Sequence, residues 1–343
     1  MRKLLNTLYV TSTEAHLAKE GQNVVVRVED EVRLRVPIHN LEGIVTMGYT
    51  GASPALMQLC AESGVALAFH SPNGRLLARL APANKGNVLL RKRQYELHDD
   101  SQETVAISRS VVLGKLANSR TVLRRFIRDY GTDPGVAEVE MAVRQLSILI
   151  DQARAVTSMD VLRGIEGDGA RRYYAVFDHL IRAQKPAFSF TKRTRRPPLD
   201  RMNALLSFLY SVLAYDCTSA LETVGLDSQV GFLHRLRSGR ASLALDIMEE
   251  LRPYLVDRVA ISLVNNNQVT AKDFVEKETG AVLLKDDSRK KVLDAWQSRK
   301  QESVQHPYLQ EKIEVGLVPY VQALLMARHI RGDLDGYPPF LMR

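Results

Sequence analysis

The sequence predicts an α+β protein of two domains, a small β-rich amino-terminal domain followed by a larger all-α domain. Three observations predict it. Period-two alternation prevails before about residue 85, and helical periods prevail beyond about residue 88. Between them lies Ala81-Pro-Ala-Asn-Lys-Gly-Asn87, a stretch with the composition of a linker. A length of 343 residues agrees with about two domains and can bury a core without covalent staples.

In the first domain, residues 1–85, short strands are predicted over 4–9, 23–28, 32–36, 43–46, 65–69 and 75–80. Val32-Arg-Leu-Arg-Val36 alternates apolar and basic side chains, and Glu29-Asp-Glu31 before it reads as a hairpin turn. One helix interrupts the strands. Ser53 suits its N-cap, Pro54 its first position and Gly64 its end. His16 and His39 read as structural or exposed, and no compelling catalytic cluster lies here. In the second domain, residues 88–343, helices are predicted over 109–130, 136–156, 158–183, 201–224 and 241–251, with more between 270 and 332. The basic, proline-broken stretch 182–198 reads as a loop, and the sequence leaves open whether it is ordered without a ligand. No internal repeat or low-complexity tract is present.

Lys and Arg number 47 against 39 Asp and Glu, a net charge of +8 that favours phosphate-bearing partners. The basic runs 91–93, 124–125, 171–172, 192–196 and 289–291 all lie beyond residue 85. Each alone reads as a solvated helix face or loop, but their confinement predicts a phosphate-tracking surface on the larger domain. Cys60 and Cys217 form no CxxC pair, which argues against a disulfide framework or a thiolate zinc site. No run reaches the roughly 18 apolar residues of a membrane span, and the start lacks a signal-peptide core. A cytoplasmic protein without a membrane partner is expected.

Candidate chemistry concentrates in Gly231-Phe-Leu-His-Arg-Leu-Arg-Ser-Gly-Arg-Ala-Ser-Leu-Ala-Leu-Asp-Ile-Met-Glu-Glu250. His234 offers an imidazole, Asp246 and Glu249 offer hard oxygens, and Arg235, Arg237 and Arg240 can hold a polyanion beside a cation. On a helix over 241–251, Asp246, Glu249 and Glu250 share a face opposite Ala244, Ile247, Met248 and Leu251. Periodicity alone turns those acids to solvent. The same spacing suits a ligand pair that His234 completes. Upstream, Glu166 stands among Gly164, Gly167 and Gly169, each costing about 1 kcal/mol in a helix interior. Such a concentration predicts close approach of another backbone or of substrate, although Arg163 could simply pair with Glu166. Imidazole with carboxylates suits Mn2+, with Mg2+ as the usual competitor. Tyr173 and Tyr174 could stack on a splayed base or pack between helices.

The order Arg163-Gly-Ile-Glu-Gly167, Arg196-Pro-Pro-Leu-Asp-Arg-Met-Asn203, Gly231-Phe-Leu-His234 and Ser242-Leu-Ala-Leu-Asp-Ile-Met-Glu-Glu-Leu-Arg252 resembles the CRISPR-associated integrase family that installs new spacers. The resemblance spans nearly the whole chain and looks most like the form of type I systems, subtype C. It implies a β domain for dimerisation and DNA contact joined to a helical, metal-dependent catalytic domain. It implies Glu166, His234 and Glu249 as ligands of Mn2+ or Mg2+, with Asp246 as a further catalytic acid. Many relatives carry aspartate at the third position, so the choice between Asp246 and Glu249 as direct ligand stays open. It also implies a homodimer bound to CRISPR-associated protein two, acting on double-stranded DNA fragments and CRISPR repeat DNA. The expected reaction is attack of a fragment's 3′-hydroxyl on a repeat phosphate, with hydrolysis when water replaces it, and Arg163, Arg235, Arg237 and Arg240 are expected on phosphates. Two other readings remain: a metal-dependent nuclease of branched DNA in repair, and a non-catalytic DNA-binding scaffold.

Overall fold

The computed structural model describes residues 7–12, 14–29, 31–41, 43–48, 51–70, 76–80 and 88–342. The expected linker 81–87 lies outside these, as do residues 4–6 and 75 of two expected strands and Asp30 of the expected turn.

The first region runs β1 (Thr7–Val10), β2 (Ala15–Glu20), β3 (Asn23–Val28), β4 (Glu31–Pro37), β5 (Gly43–Met47), β6 (Gly51–Ala52), α1 (Pro54–Ser63), β7 (Ala66–His70) and β8 (Leu76–Leu80). Among the described residues these strands form two four-stranded sheets, in the orders β1-β5-β7-β8 and β4-β3-β2-β6. β3 and β4 pair antiparallel, as the alternation predicts, and β1, β5 and β7 pair in parallel. As an edge strand, β4 leaves Val32 and Leu34 exposed. Ser53 caps α1, its Oγ accepting from Leu56 N at 3.3 Å. Sequence reading gave no strand over β2, whose Ala, Leu, Lys and Glu are ordinary helix formers. Pairing with β3 overrides that preference and buries Ala15 and Leu17.

The second region continues with α2 (Val88–Asp99), α3 (Ser101–Asp129), α4 (Val136–Arg154), α5 (Met159–Ala175), α6 (Arg201–Thr223), α7 (Ser242–Leu251), α8 (Arg258–Asn265), β9 (Phe274–Glu276), β10 (Val282–Leu284), α9 (Asp286–Gln301), β11 (Ser303–Gln305), β12 (Lys312–Glu314) and α10 (Val318–Arg331). It is therefore not all-α. β9 pairs with β10 and β11 with β12, in strands of three residues that are too short to show a period. The helix expected over 109–130 starts earlier, because Asp100 Oδ1 accepts the N–H groups of Gln102 (2.8 Å) and Glu103 (3.1 Å). The one expected over 158–183 stops at Ala175 and yields to a 3₁₀ turn, Phe177–Leu180. There Asp178 ties the chain back through Phe190 N (2.8 Å) and Lys185 Nζ (2.5 Å).

The stretch 182–198 is packed rather than loose. Phe188 and Phe190 are buried, and Arg193 donates to Asn203 Oδ1 (2.7 Å) and Ser207 Oγ (3.0 Å). α6 is long and apolar enough to cross a membrane by composition, which corrects the reading that no such run exists. Yet 61% of its apolar window is buried inside the molecule, where Leu205, Leu209 and Leu213 join the core.

The site depends on how α3 is packed, for it lies against α4, α5 and α7. On α5, a Cβ at Gly169 would overlap Leu116 Cδ2 of α3. The glycine lets the two helices close up and sets Glu166, one turn earlier, beside Lys115. Gly164 and Gly167 have nothing within 4 Å of a Cβ position, so the close approach predicted from the glycine cluster holds for Gly169 alone.

Candidate active site

His234 lies in a loop that is held from several sides. A Cβ at Gly231 would come within 2.6 Å of the Ser242 carbonyl carbon and 2.7 Å of Asp246 Oδ2, so only glycine lets the loop rest on the first turn of α7. Asp246 Oδ2 accepts the backbone N–H groups of Phe232 (2.6 Å) and Leu233 (3.1 Å), and Oδ1 accepts that of His234 (3.0 Å). Oδ1 also lies 2.7 Å from His234 Nδ1. From α2, Gln94 Nε2 donates to the carbonyls of Asp227 and Val230, both at 2.8 Å, and His98 Nδ1 donates to that of Gly231 at 2.6 Å. From α5, Arg163 donates to the Leu233 carbonyl through Nε (3.2 Å) and Nη2 (3.1 Å).

Asp246 therefore spends both oxygens on the loop, and its position decides the tautomer of His234. With the proton on Nδ1, the Nε2 lone pair turns toward Glu249, 3.6 Å from Oε1. The acids of α7 do not face solvent, as periodicity alone would have them. Asp246 and Glu250 are fully buried and Glu249 is 2% exposed. Their partners differ. Glu250 binds the Tyr337 hydroxyl, Gln322 Nε2 (3.0 Å) and Phe340 N (2.7 Å), and burial pushes its carboxyl up to about 7.

Glu249 meets three other groups. Arg252 Nη1 stands 2.5 Å from Oε1, and Lys115 Nζ stands 2.7 Å from Oε2 while also pairing with Glu166 Oε1. Oε2 is buried, with the Lys115 ammonium as its ion-pair partner and no further hydrogen bond. Burial pushes the Glu249 carboxyl up, but the Arg252 and Lys115 cations outweigh it and hold it below the usual carboxylate range. Lys115 and Arg252 were missed by sequence reading. Both left a trace: Arg252 follows Glu249 by one helical turn, and Lys115 is a lone charge in the apolar run Val111-Val-Leu-Gly-Lys-Leu-Ala117.

Among the described residues, no three His, Cys, Asp or Glu side chains already form a metal cage, because an ammonium lies between Glu166 and Glu249. Their chemistry nevertheless fits a hard divalent cation. Glu249 Oε2 has no hydrogen bond beyond its Lys115 ion pair, the Nε2 lone pair faces the same carboxylate, and Glu166 closes the rim with its side chain 26% exposed. The imidazole is braced by a carboxylate, as metal-binding histidines commonly are.

The arginines divide. Arg163 braces the His234 loop rather than standing free for phosphate. Arg235 and Arg237 are exposed, the former 3.9 Å from Asp160. Arg240 borders a cleft of about 850 Å³ that Arg79, Arg195, Arg196 and Arg289 also line, so the run 192–196 does contribute to a basic concavity. Neither tyrosine of the 173–174 pair is free to stack on a base. Tyr173 donates to Asp257 Oδ2 at 3.0 Å, and the Tyr174 and Tyr210 hydroxyls meet at 2.7 Å. Tyr210 donates to Asp257 Oδ1 at 2.6 Å and lies under the Arg252 guanidinium, 5.1 Å from its ring centre.

Burial raises the Asp257 carboxyl to about 6 against the hydrogen bonds of Tyr210 and Tyr173. A raised carboxyl stabilises the fold below its unfolded value near 4, and this contribution fades as pH climbs through 6. Asp257→Asn removes that slope. The stability advantage of the parent protein over the variant, measured by urea unfolding, is expected to shrink by about 3 kcal/mol from pH 4 to 7. A constant difference over that range contradicts the assignment.

A family model described as CRISPR associated protein Cas1 matches residues 8–298. The chain belongs to the Cas1 family. It is 46% identical over 343 residues to the CRISPR-associated endonuclease Cas1 1 of Chlorobaculum tepidum, with 100% of each chain covered. A casposase bound to integration product superposes with a TM-score of 0.83 at 21% identity, over 98% of this chain and 94% of the other. A chain of a Cas6-RT-Cas1–Cas2 complex superposes with a TM-score of 0.83 at 22% identity, over 98% of this chain and 36% of the other. At those identities the two structures establish the fold. In this Cas1 chain, that fold draws Glu166 from α5, His234 from its loop and Glu249 from α7 to one place, with Lys115 of α3 among them.

Proposed function

We propose that the protein is a metal-dependent DNA endonuclease and integrase that inserts short DNA fragments as new spacers into a CRISPR array. The convergence of Glu166, His234 Nε2 and Glu249 at one spot carries this reading. These three side chains would hold Mn2+ or Mg2+. Such an ion, when bound, polarises a phosphoryl oxygen and acidifies an attacking hydroxyl or water. Asp246 keeps the imidazole oriented, and Arg252 offsets the charge of Glu249. Of the two candidates for third ligand, we assign Glu249, because both oxygens of Asp246 are already engaged. Arg235, Arg237 and Arg240 would hold backbone phosphates without reading sequence.

In the reaction, the 3′-oxygen of the fragment forms a bond to a repeat-edge phosphorus as the repeat strand's own phosphodiester bond breaks. The relative named an endonuclease and the neighbour bound to integration product both support this chemistry. The Cas1–Cas2 neighbour supports CRISPR-associated protein two as partner. A homodimer, a dimerising and DNA-contacting role for residues 1–85, catalysis by residues 88–343, cytoplasmic location and subtype I-C complete the proposal on the family resemblance.

The test incubates the protein and its partner with Mn2+, a short duplex and a repeat-bearing plasmid. Covalent joining of fragment 3′ ends at the repeat edge is expected. Cleavage of branched DNA without joining would instead favour a repair nuclease, and salt-sensitive binding without either would favour a scaffold.

A further inference from the structure

The Lys115 ammonium occupies the position between Glu166 and Glu249 that the function proposed above gives to a divalent ion. We infer that Lys115 is a built-in counter-ion that competes with the metal for these two carboxylates, so that the site loads only when its ammonium is displaced. The inference rests on the ligand assignment already proposed.

Lys115 is 8% exposed on α3, and the two carboxylates compensate its burial. An ammonium and a divalent ion a few ångströms apart in such surroundings repel strongly, so they do not share the site. One cation must therefore leave. Arg252 is ill placed to do so, since its guanidinium grips Glu249 Oε1 at 2.5 Å and lies 5.1 Å from the Tyr210 ring centre. Lys115 instead pairs with the other oxygen, Oε2, at 2.7 Å and with Glu166 on its other side. Its ammonium is a point charge on a flexible four-carbon stem. Beside it, Glu166 reaches the rim with its side chain 26% exposed, and this is the direction in which the stem can withdraw.

Calorimetric titration of the metal-free full-length protein with Mn2+ tests this. In Lys115→Met and Lys115→Gln, Mn2+ is expected to bind at least about tenfold more tightly than in the parent. In the parent itself, acetylation of Lys115 by acetic anhydride, read by peptide mass, is expected to be slow without Mn2+ and at least about fivefold faster at saturation, as the amine leaves its buried ion pairs. Unchanged or weaker Mn2+ binding in both variants, or equal protection of Lys115 with and without Mn2+, overturns the inference. Failure of the ligand assignment looks different. Then His234→Ala binds Mn2+ as well as the parent, or the parent binds none, and the competition falls with it.

Discussion

Replacing His234 or Glu166 with alanine is expected to remove both strand joining and DNA cleavage, lowering either rate by at least about a thousandfold. The size follows from losing a ligand of the ion that both reactions share. DNA binding, followed by mobility shift, should stay within about twofold, because the phosphate-facing arginines are untouched. Folding should survive as well. The His234 side chain is 19% exposed and that of Glu166 26%, and Asp246 keeps its three backbone N–H groups when the imidazole is gone. An alanine variant at His234 that still cleaves in excess Mn2+ removes this residue from the ligand set.

Asp246→Ala should behave otherwise, and the contrast separates orienting from ligating. Its carboxylate takes the N–H groups of Phe232, Leu233 and His234 in a fully buried position. Alanine leaves those donors without partners and frees the imidazole to rotate. A loss of about 3–5 kcal/mol in urea unfolding is expected together with loss of activity. Asp246→Ala with the stability of the parent would show that the loop is held by Gln94, His98 and Arg163 alone.

Much of this organisation could be read in the chain. Alternation placed the β3–β4 hairpin, and Ser53 with Pro54 placed the start of α1. Long helical periods placed α4 and α6 nearly to the residue. What escaped lacked a local signal. β2 is written in helix-forming residues and becomes a strand through pairing with β3, and the two small hairpins are too short to carry a period.

The site followed the same division. The family motifs picked out Glu166, His234 and Glu249, which the fold brings together. Periodicity misjudged α7, because it counts a carboxylate as polar whether it meets water or a buried cation. Arg163 looks like a phosphate ligand by type, but its direction is set by the Leu233 carbonyl, a contact 70 residues away in sequence. Only assembled helices show that Lys115, in an apolar stretch of α3, faces two acids from α5 and α7.

The claim on which the rest depends is that one divalent ion is shared by Glu166, His234 and Glu249. Anomalous diffraction at the manganese edge from crystals grown with Mn2+ tests it directly. The account predicts a peak about 2.0–2.3 Å from a carboxylate oxygen of Glu166, from Nε2 of His234 and from a carboxylate oxygen of Glu249, with Asp246 outside bonding distance. A peak elsewhere, or one bonded to Asp246 in place of Glu249, contradicts it.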